Sequence, residues 1–202
     1  MNESLRIAVA DDEQELRDYY REVLVALGHE VVALAKNGAD LVKSCLASKP
    51  DLVITDIKMP GMDGIDAAIE ISLKQPVPII LVSAYHDADL LERAAVSHVM
   101  AYLVKPIKRA DLEAAIAIVR RRYDHIEILR DEAAKLRQTL QDRKTIEKAK
   151  EILMSRPDVT TPEEALAKLN QAASNTRRKL VEVARSIIDA EARKAPGRRG
   201  GA

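Results

Sequence analysis

The acidic pair Asp11-Asp12 in VADDE, Asp56 in LVITDIKMPGMDG, Ser83 in LVSA and Lys105 in YLVKP each stand directly after a short apolar run. Three carboxylates brought together cannot all stay ionised without a cation beside them. An all-oxygen set with room for water suits Mg²⁺, and Lys105 supplies a second positive charge from another run. The same cations would neutralise the oxygens of a phosphoryl group while the Ser83 hydroxyl donates a hydrogen bond to it. Asp56, placed in line, would then be the nucleophile and form an acyl phosphate. Taken singly these residues have plainer readings. Asp11 or Asp12 serves as a helix cap, Ser83 as a strand-end hydrogen bond, Tyr102 as a packing residue and Lys105 as a surface charge. Only their coincidence at the ends of four strands favours the joint reading.

The runs that must position them are Ile7-Ala8-Val9-Ala10, Val31-Val32-Ala33-Leu34, Leu52-Val53-Ile54, Ile79-Ile80-Leu81-Val82 and Tyr102-Leu103-Val104. Each is of strand length and apolar without alternation, which a parallel sheet covered on both faces requires. Helix-period segments lie between them, over 14–27, 38–48, 64–74, 87–97 and from 108 onward. Gly28 suits a helix end, and Asp87 and Asp111 lie near helix starts. The expected fold is α/β, a doubly wound five-stranded parallel sheet, whose ligands bind outside the carboxyl ends of the strands. With no Trp or Phe and five Tyr, the core must be aliphatic. Cys45 stands alone beside Leu41 and Val42, which excludes a disulfide scaffold and reads as a small core hydrophobe. No apolar stretch approaches the ~20 residues of a membrane span, and MNESLRIAVADD lacks a signal-peptide layout. The expectation is a cytoplasmic protein with no membrane contact.

After the fifth run the pattern becomes helix without interruption, free of Gly and Pro from Arg109 to about Arg156. Within it Ile126, Leu129, Ala133, Leu136 and Leu140 follow the 3,4 spacing of a coiled-coil seam. One long helix packing on its own domain is the alternative; pairing of two chains through residues 116–153 is the expectation preferred here. Arg156-Pro157 breaks this helix. Thr161 with Glu164 forms a capping box, and Pro162 suits a first helical position. A last helix follows a bend expected near Ser174-Asn175, with Arg177-Arg178-Lys179 at its start. Net charge is zero but unevenly spread. Residues 1–138 carry 18 Lys and Arg against 23 Asp and Glu, whereas residues 139–202 carry 14 against 9, so an acidic front precedes a basic back.

The first ~120 residues resemble the receiver domain of two-component response regulators, through VADDE, VITDIKMPGMDG, LVSA and AYLVKP in order. The resemblance implies a flavodoxin-like fold over residues 1–122 and phosphorylation of Asp56 by a sensor histidine kinase. It also implies Mg²⁺ held by Asp12, Asp56 and the Lys58 carbonyl, with Asp11 acting largely through water. Ser83 and Tyr102 would be the coupled switch residues, and Lys105, in a cis Lys105-Pro106 bond, would hold the phosphoryl group. His98 departs from the family, which usually has Gly there. Residues 142–190, after a coiled-coil linker over 123–141, are similar to the three-helix ANTAR output module, through Arg143, Ile146, Ala149-Lys150, Leu153-Met154, Glu164-Ala165, Leu169, Ala173 and Val183-Ala184. That similarity implies transcription antitermination through an RNA stem-loop, with Arg143, Lys144, Lys150, Arg177, Arg178 and Lys179 as candidate contacts. Residues 191–202 read as a disordered basic tail. Glu151 and Asn170 replace a usual Gly and Arg, which favours a competing reading in which the tail docks a protein. DNA is disfavoured because residues 142–188 lack the Gly of a helix-turn-helix. No cluster of nucleophile, base and oxyanion donor beyond Asp56 suggests an enzyme proper.

Overall fold

The structure is a computed structural model that describes residues 4–84 and 99–194. The helix expected over 87–97, Asp87, His98 and residues 195–202 lie outside the described residues. Contacts divide the chain into two units, residues 1–126 and 127–202.

Among the described residues, the first unit holds strands β1 (Arg6–Ala10), β2 (Glu30–Ala35), β3 (Leu52–Asp56), β4 (Ile79–Ser83) and β5 (Val99–Val104), all parallel, in the order β2-β1-β3-β4-β5. Helices α1 (Gln14–Ala26), α2 (Gly38–Ser48) and α3 (Gly64–Lys74) connect them, and α4 (Arg109–Met154) follows β5. The unbroken apolar runs have a direct explanation. Successive side chains of a strand point to opposite faces, and both faces are covered. Ala8, Ala10, Val53, Ile79 and Leu81 pack with Leu41, Cys45, Ile65 and Ile71 of α2 and α3. Ile7, Val9, Leu52, Ile54, Ile80 and Val82 pack with Tyr20 and Leu24 of α1 and with Leu112, Ile116 and Val119 of α4. Each such Val, Leu or Ile side chain contributes about 1.5–3 kcal/mol when fully buried. Cys45 is fully buried and burial pushes its thiol up to about 12, so it is inert packing, as expected.

α1 ends at Gly28, whose φ of +90° is the left-handed region that a side chain would resist. The next residue, His29, is buried, and its Nδ1 accepts a hydrogen bond from the Leu5 N–H at 3.3 Å. Burial lowers its pKa below the ordinary value. The unfolded chain therefore binds a proton at His29 in a window just below about pH 6.5 where the folded chain does not. Stability is retained above that window and lost as pH falls through it. The urea midpoint should drop between pH 7.5 and 5.5, and His29→Gln should lessen that drop; an equal drop in the variant would remove His29 as its source.

In the second unit α4 runs on to Met154 and is followed by α5 (Pro162–Thr176) and α6 (Leu180–Lys194). Ala149 and Leu153 of α4, Val159 of the connection that follows, Ala165 and Leu169 of α5, and Val183 and Ala184 of α6 form its core. The capping box is present, with Thr161 as N-cap and Pro162 first in the helix. The bend lies later than expected. α5 continues through Ser174 and Asn175, and Arg177 adopts a left-handed conformation (φ 52°). The Arg178 N–H then donates to the Ala173 carbonyl at 3.1 Å, which closes the helix. Arg177, Arg178 and Lys179 thus form the turn before α6 and not its first residues. α6 also continues to Lys194, past residue 191 where the tail was expected to begin.

Candidate functional site

Strand order reverses between β1 and β3, so the crevice at their carboxyl ends is the place where a sheet of this kind binds ligands. Asp11 follows β1 and is fully buried. Its Oδ1 accepts from the Glu13 N–H at 2.9 Å and its Oδ2 from Lys105 Nζ at 2.9 Å. Asp56 ends β3, and its Oδ2 also accepts from Lys105 Nζ at 2.9 Å. Lys105 follows β5 and is steered there by its own N–H, which donates to the Ser83 carbonyl at 2.8 Å. The Lys105-Pro106 bond is cis.

One ammonium thus serves two nearly buried carboxylates. Burial raises the Asp56 pKa and the charge of Asp11 adds to this, while Lys105 and the Lys58 backbone N–H oppose it without reversing it. Burial would lower the Lys105 pKa, but its hydrogen bonds to Asp56 and Asp11 outweigh that and hold the amine protonated. The pocket therefore carries more negative charge than it neutralises. Exposed Asp12 contributes a third carboxylate, and one oxygen from each of Asp11, Asp12 and Asp56 lies within 4.8 Å of the others. These hard oxygen donors around a charge deficit fit a small divalent cation.

The other expected residues are placed as follows. Ser83 ends β4 and is buried. Tyr102 pairs with Leu81 across β4 and β5 and packs half-buried against the core on the α2 and α3 side. Since Leu81 and Ser83 share a strand face, Ser83 and Tyr102 lie on the same side of the sheet. Lys58 reaches Asp56 through its backbone N–H, a contact additional to the carbonyl role expected for it. Among the output cations, Arg143, Lys144, Arg177, Arg178 and Lys179 are exposed and Lys150 is half-buried. Lys150 pairs with Glu147 at 3.0 Å, and Arg178 contacts Glu182 at 3.5 Å and Ser186 Oγ at 3.1 Å.

Some contributors escaped the sequence reading. Arg17 Nη1 donates to the carbonyls of Asp11 (2.6 Å) and Asp12 (2.9 Å) and so braces the loop that presents them. The Thr55 hydroxyl donates to the Asp56 carbonyl at 3.0 Å. At Gly64, the first residue of α3, an added Cβ would sit 1.9 Å from that same carbonyl oxygen. Nothing in the motif beyond the glycine itself signalled so close an approach.

Comparison with known proteins decides the family. The response regulator receiver domain matches residues 7–117, over half the chain, and the ANTAR domain matches residues 134–188. The chain belongs to the response regulator receiver family. A receiver joined to an ANTAR domain also describes its likeness to the transcriptional regulatory protein PdtaR of Mycobacterium tuberculosis (strain ATCC 25618 / H37Rv). The two are 39% identical over 184 residues, which cover 91% of this chain and 89% of PdtaR. The DNA-binding transcriptional regulator NtrC of Escherichia coli (strain K12) is 31% identical over 118 residues, 58% of this chain and 24% of NtrC. Among solved structures, a DNA-binding response regulator of the LuxR family from Staphylococcus aureus superposes with a TM-score of 0.54 at 31% identity, covering 57% of this chain and 98% of that one. The receiver domain of NarL from Mycobacterium tuberculosis gives 0.54 at 29% identity, covering 57% and 95%. Receiver fold, acidic crevice and ANTAR domain together make this a response regulator, similar along most of its length to a transcriptional regulator. No helix among the described residues is long and apolar enough to cross a membrane.

Proposed function

We propose that Asp56 accepts a phosphoryl group from the phosphohistidine of a sensor histidine kinase. The observation that carries this is Lys105 Nζ at 2.9 Å from both Asp11 and Asp56 at the switch point of the sheet. In the transfer, the phosphorus–nitrogen bond of the donor breaks, its electron pair stays on the imidazole, and a bond forms from phosphorus to a carboxylate oxygen of Asp56. Asp11, Asp12, Asp56 and the Lys58 carbonyl would hold Mg²⁺, which when bound neutralises the phosphoryl oxygens. Lys105 exchanges its contact with Asp56 for one with the arriving phosphoryl group. Ser83 donates its hydroxyl to another oxygen, and that movement is followed by Tyr102. Beyond this self-directed chemistry the chain acts as a regulator and not as an enzyme.

The output is transcription antitermination by binding an RNA stem-loop in the cytoplasm, with the linker over 123–141 pairing two chains. Leu129, Leu136 and Leu140 support the pairing, being 50%, 66% and 59% exposed along one helical seam. Phosphorylated wild type should assemble into a dimer, and Leu136→Asp should weaken that assembly at least tenfold, on the order of 1.4 kcal/mol. Light scattering with and without acetyl phosphate and Mg²⁺ measures this; equal assembly in the variant would remove the seam from the scheme. The ion pair of Lys150 with Glu147 favours the rival reading of a protein-docking tail. A salt series separates the two, because phosphate contacts require a negative slope of log affinity against log salt.

A further inference from the structure

Lys150 and Arg178, both expected to touch RNA, are engaged with acids close in sequence, Glu147 of α4 and Glu182 of α6. A different group of cations in the second unit is not. Gln141, Lys144, Thr145 and Lys148 stand at i, i+3, i+4 and i+7 along α4 and so share one face. Together with Arg185 and Ile188 of α6 they line a cleft of about 280 Å³. The packing of α4 on α6 through Ala149, Val183 and Ala184 holds the two walls together.

The lining has a clear chemical character. Lys144, Lys148 and Arg185 enter no ion pair among the described residues, while Glu147 pairs with Lys150, Glu182 with Arg178, and Asp142 accepts from the Gln138 amide. Among the described residues no carboxylate lines the cleft, and Ile188 is its apolar side chain. The Thr145 hydroxyl is committed to the Gln141 carbonyl at 2.8 Å, which leaves three cationic heads and the Gln141 amide to face a ligand. Such a lining asks for an anion with several oxygens. The volume falls below the ~300–1,000 Å³ usual for small-molecule pockets, and the lining lacks their apolar character. With no aromatic residue after Tyr123 in the sequence, the cleft has nothing on which a base could stack.

We infer that the cleft between α4 and α6, lined by Lys144, Lys148 and Arg185, is a backbone anchor for RNA, holding a phosphodiester by charge without reading its base. This rests on the RNA-binding reading above and deepens it. It moves the main electrostatic contact from Lys150 and the Arg177-Arg178-Lys179 turn to a face that includes Lys148 and Arg185, and it assigns sequence choice to other residues. Phosphate contacts position and do not specify. Loss of the anchor should therefore weaken binding evenly across loop sequences.

The test uses the full chain and a hairpin RNA pool of fixed stem and randomised loop, with filter binding over a salt series. Each phosphate contact removed should flatten the slope of log affinity against log salt by about 0.7–0.9. Lys148→Gln with Arg185→Gln should flatten it by about 1.5 and lower affinity at least tenfold at low salt. Lys168→Gln with Arg193→Gln removes the same charge elsewhere in the unit and should change the slope by much less. Lys148→Arg with Arg185→Lys keeps the charge and should retain the slope, which separates lost contacts from lost folding. An unchanged slope in the cleft variant, or an equal change in both Gln pairs, would overturn the anchor and leave RNA binding standing. Wild type without RNA affinity or salt slope would overturn both.

Discussion

Gly64→Ala should destabilise the receiver by about 3 kcal/mol or more, because overpacking against backbone cannot relax as a flexible side chain would. The added carbon would lie 1.9 Å from the Asp56 carbonyl oxygen and 3.0 Å from Thr55 Oγ1. Relief requires α3 to move, yet the Gly64 N–H donates to the Ile57 carbonyl at 2.8 Å and Ile65, Ala67, Ala68 and Ile71 anchor the helix in the core. Retreat of α3 would also drag the Asp56 backbone. Urea unfolding should show a lower midpoint, and any folded fraction should accept phosphate poorly. A midpoint within experimental scatter of wild type would mean that α3 is not pressed on the end of β3.

Asp56→Asn should abolish phosphate uptake and, in Mg²⁺-free buffer, raise the urea midpoint. The two effects share a cause. Burial and the Asp11 charge disfavour the ionised carboxylate, and Lys105 only partly compensates, so a neutral amide of the same shape relieves an electrostatic burden in the folded state. Lys105 keeps its partner at Asp11. The same substitution removes one of the charged oxygens gathered for a cation. Mg²⁺ at a hundredfold excess over its dissociation constant should stabilise wild type by about 2.7 kcal/mol, and the variant by much less at the same concentration. Equal Mg²⁺ responses would place the ion elsewhere.

Most of the receiver was legible because its demands are local. Ile54, Leu81 and their neighbours are apolar on both strand faces, and only a sheet covered twice accounts for that. The segments over 38–48 and 64–74 coincide with α2 and α3 at both ends. Asp11, Asp12, Asp56 and Lys105 were readable as a group because strand ends of a parallel sheet converge whatever lies between them. What escaped depends on distance in space. Arg17 on the loop carbonyls and Thr55 on the Asp56 carbonyl are polar residues with many possible partners, and their spacing announces none. The bend after α5 was misplaced because Arg177 adopts a left-handed conformation that sequence patterns assign to Gly or Asn. The output unit was less legible still. Its Lys and Arg residues lie on several helix faces, and only the packing of α6 on α4 shows that Lys144 and Lys148 face Arg185 while Lys150 turns to Glu147.

Phosphoryl transfer to Asp56, poised by Lys105 among the carboxylates of the crevice, is open to direct measurement. Wild type and Asp56→Asn, treated with acetyl phosphate and Mg²⁺ and digested, can be mapped by mass spectrometry. One labile phosphoryl group is expected on the peptide containing Asp56 in wild type and none on the variant. Phosphate on another peptide, or equal labelling of the variant, would contradict it.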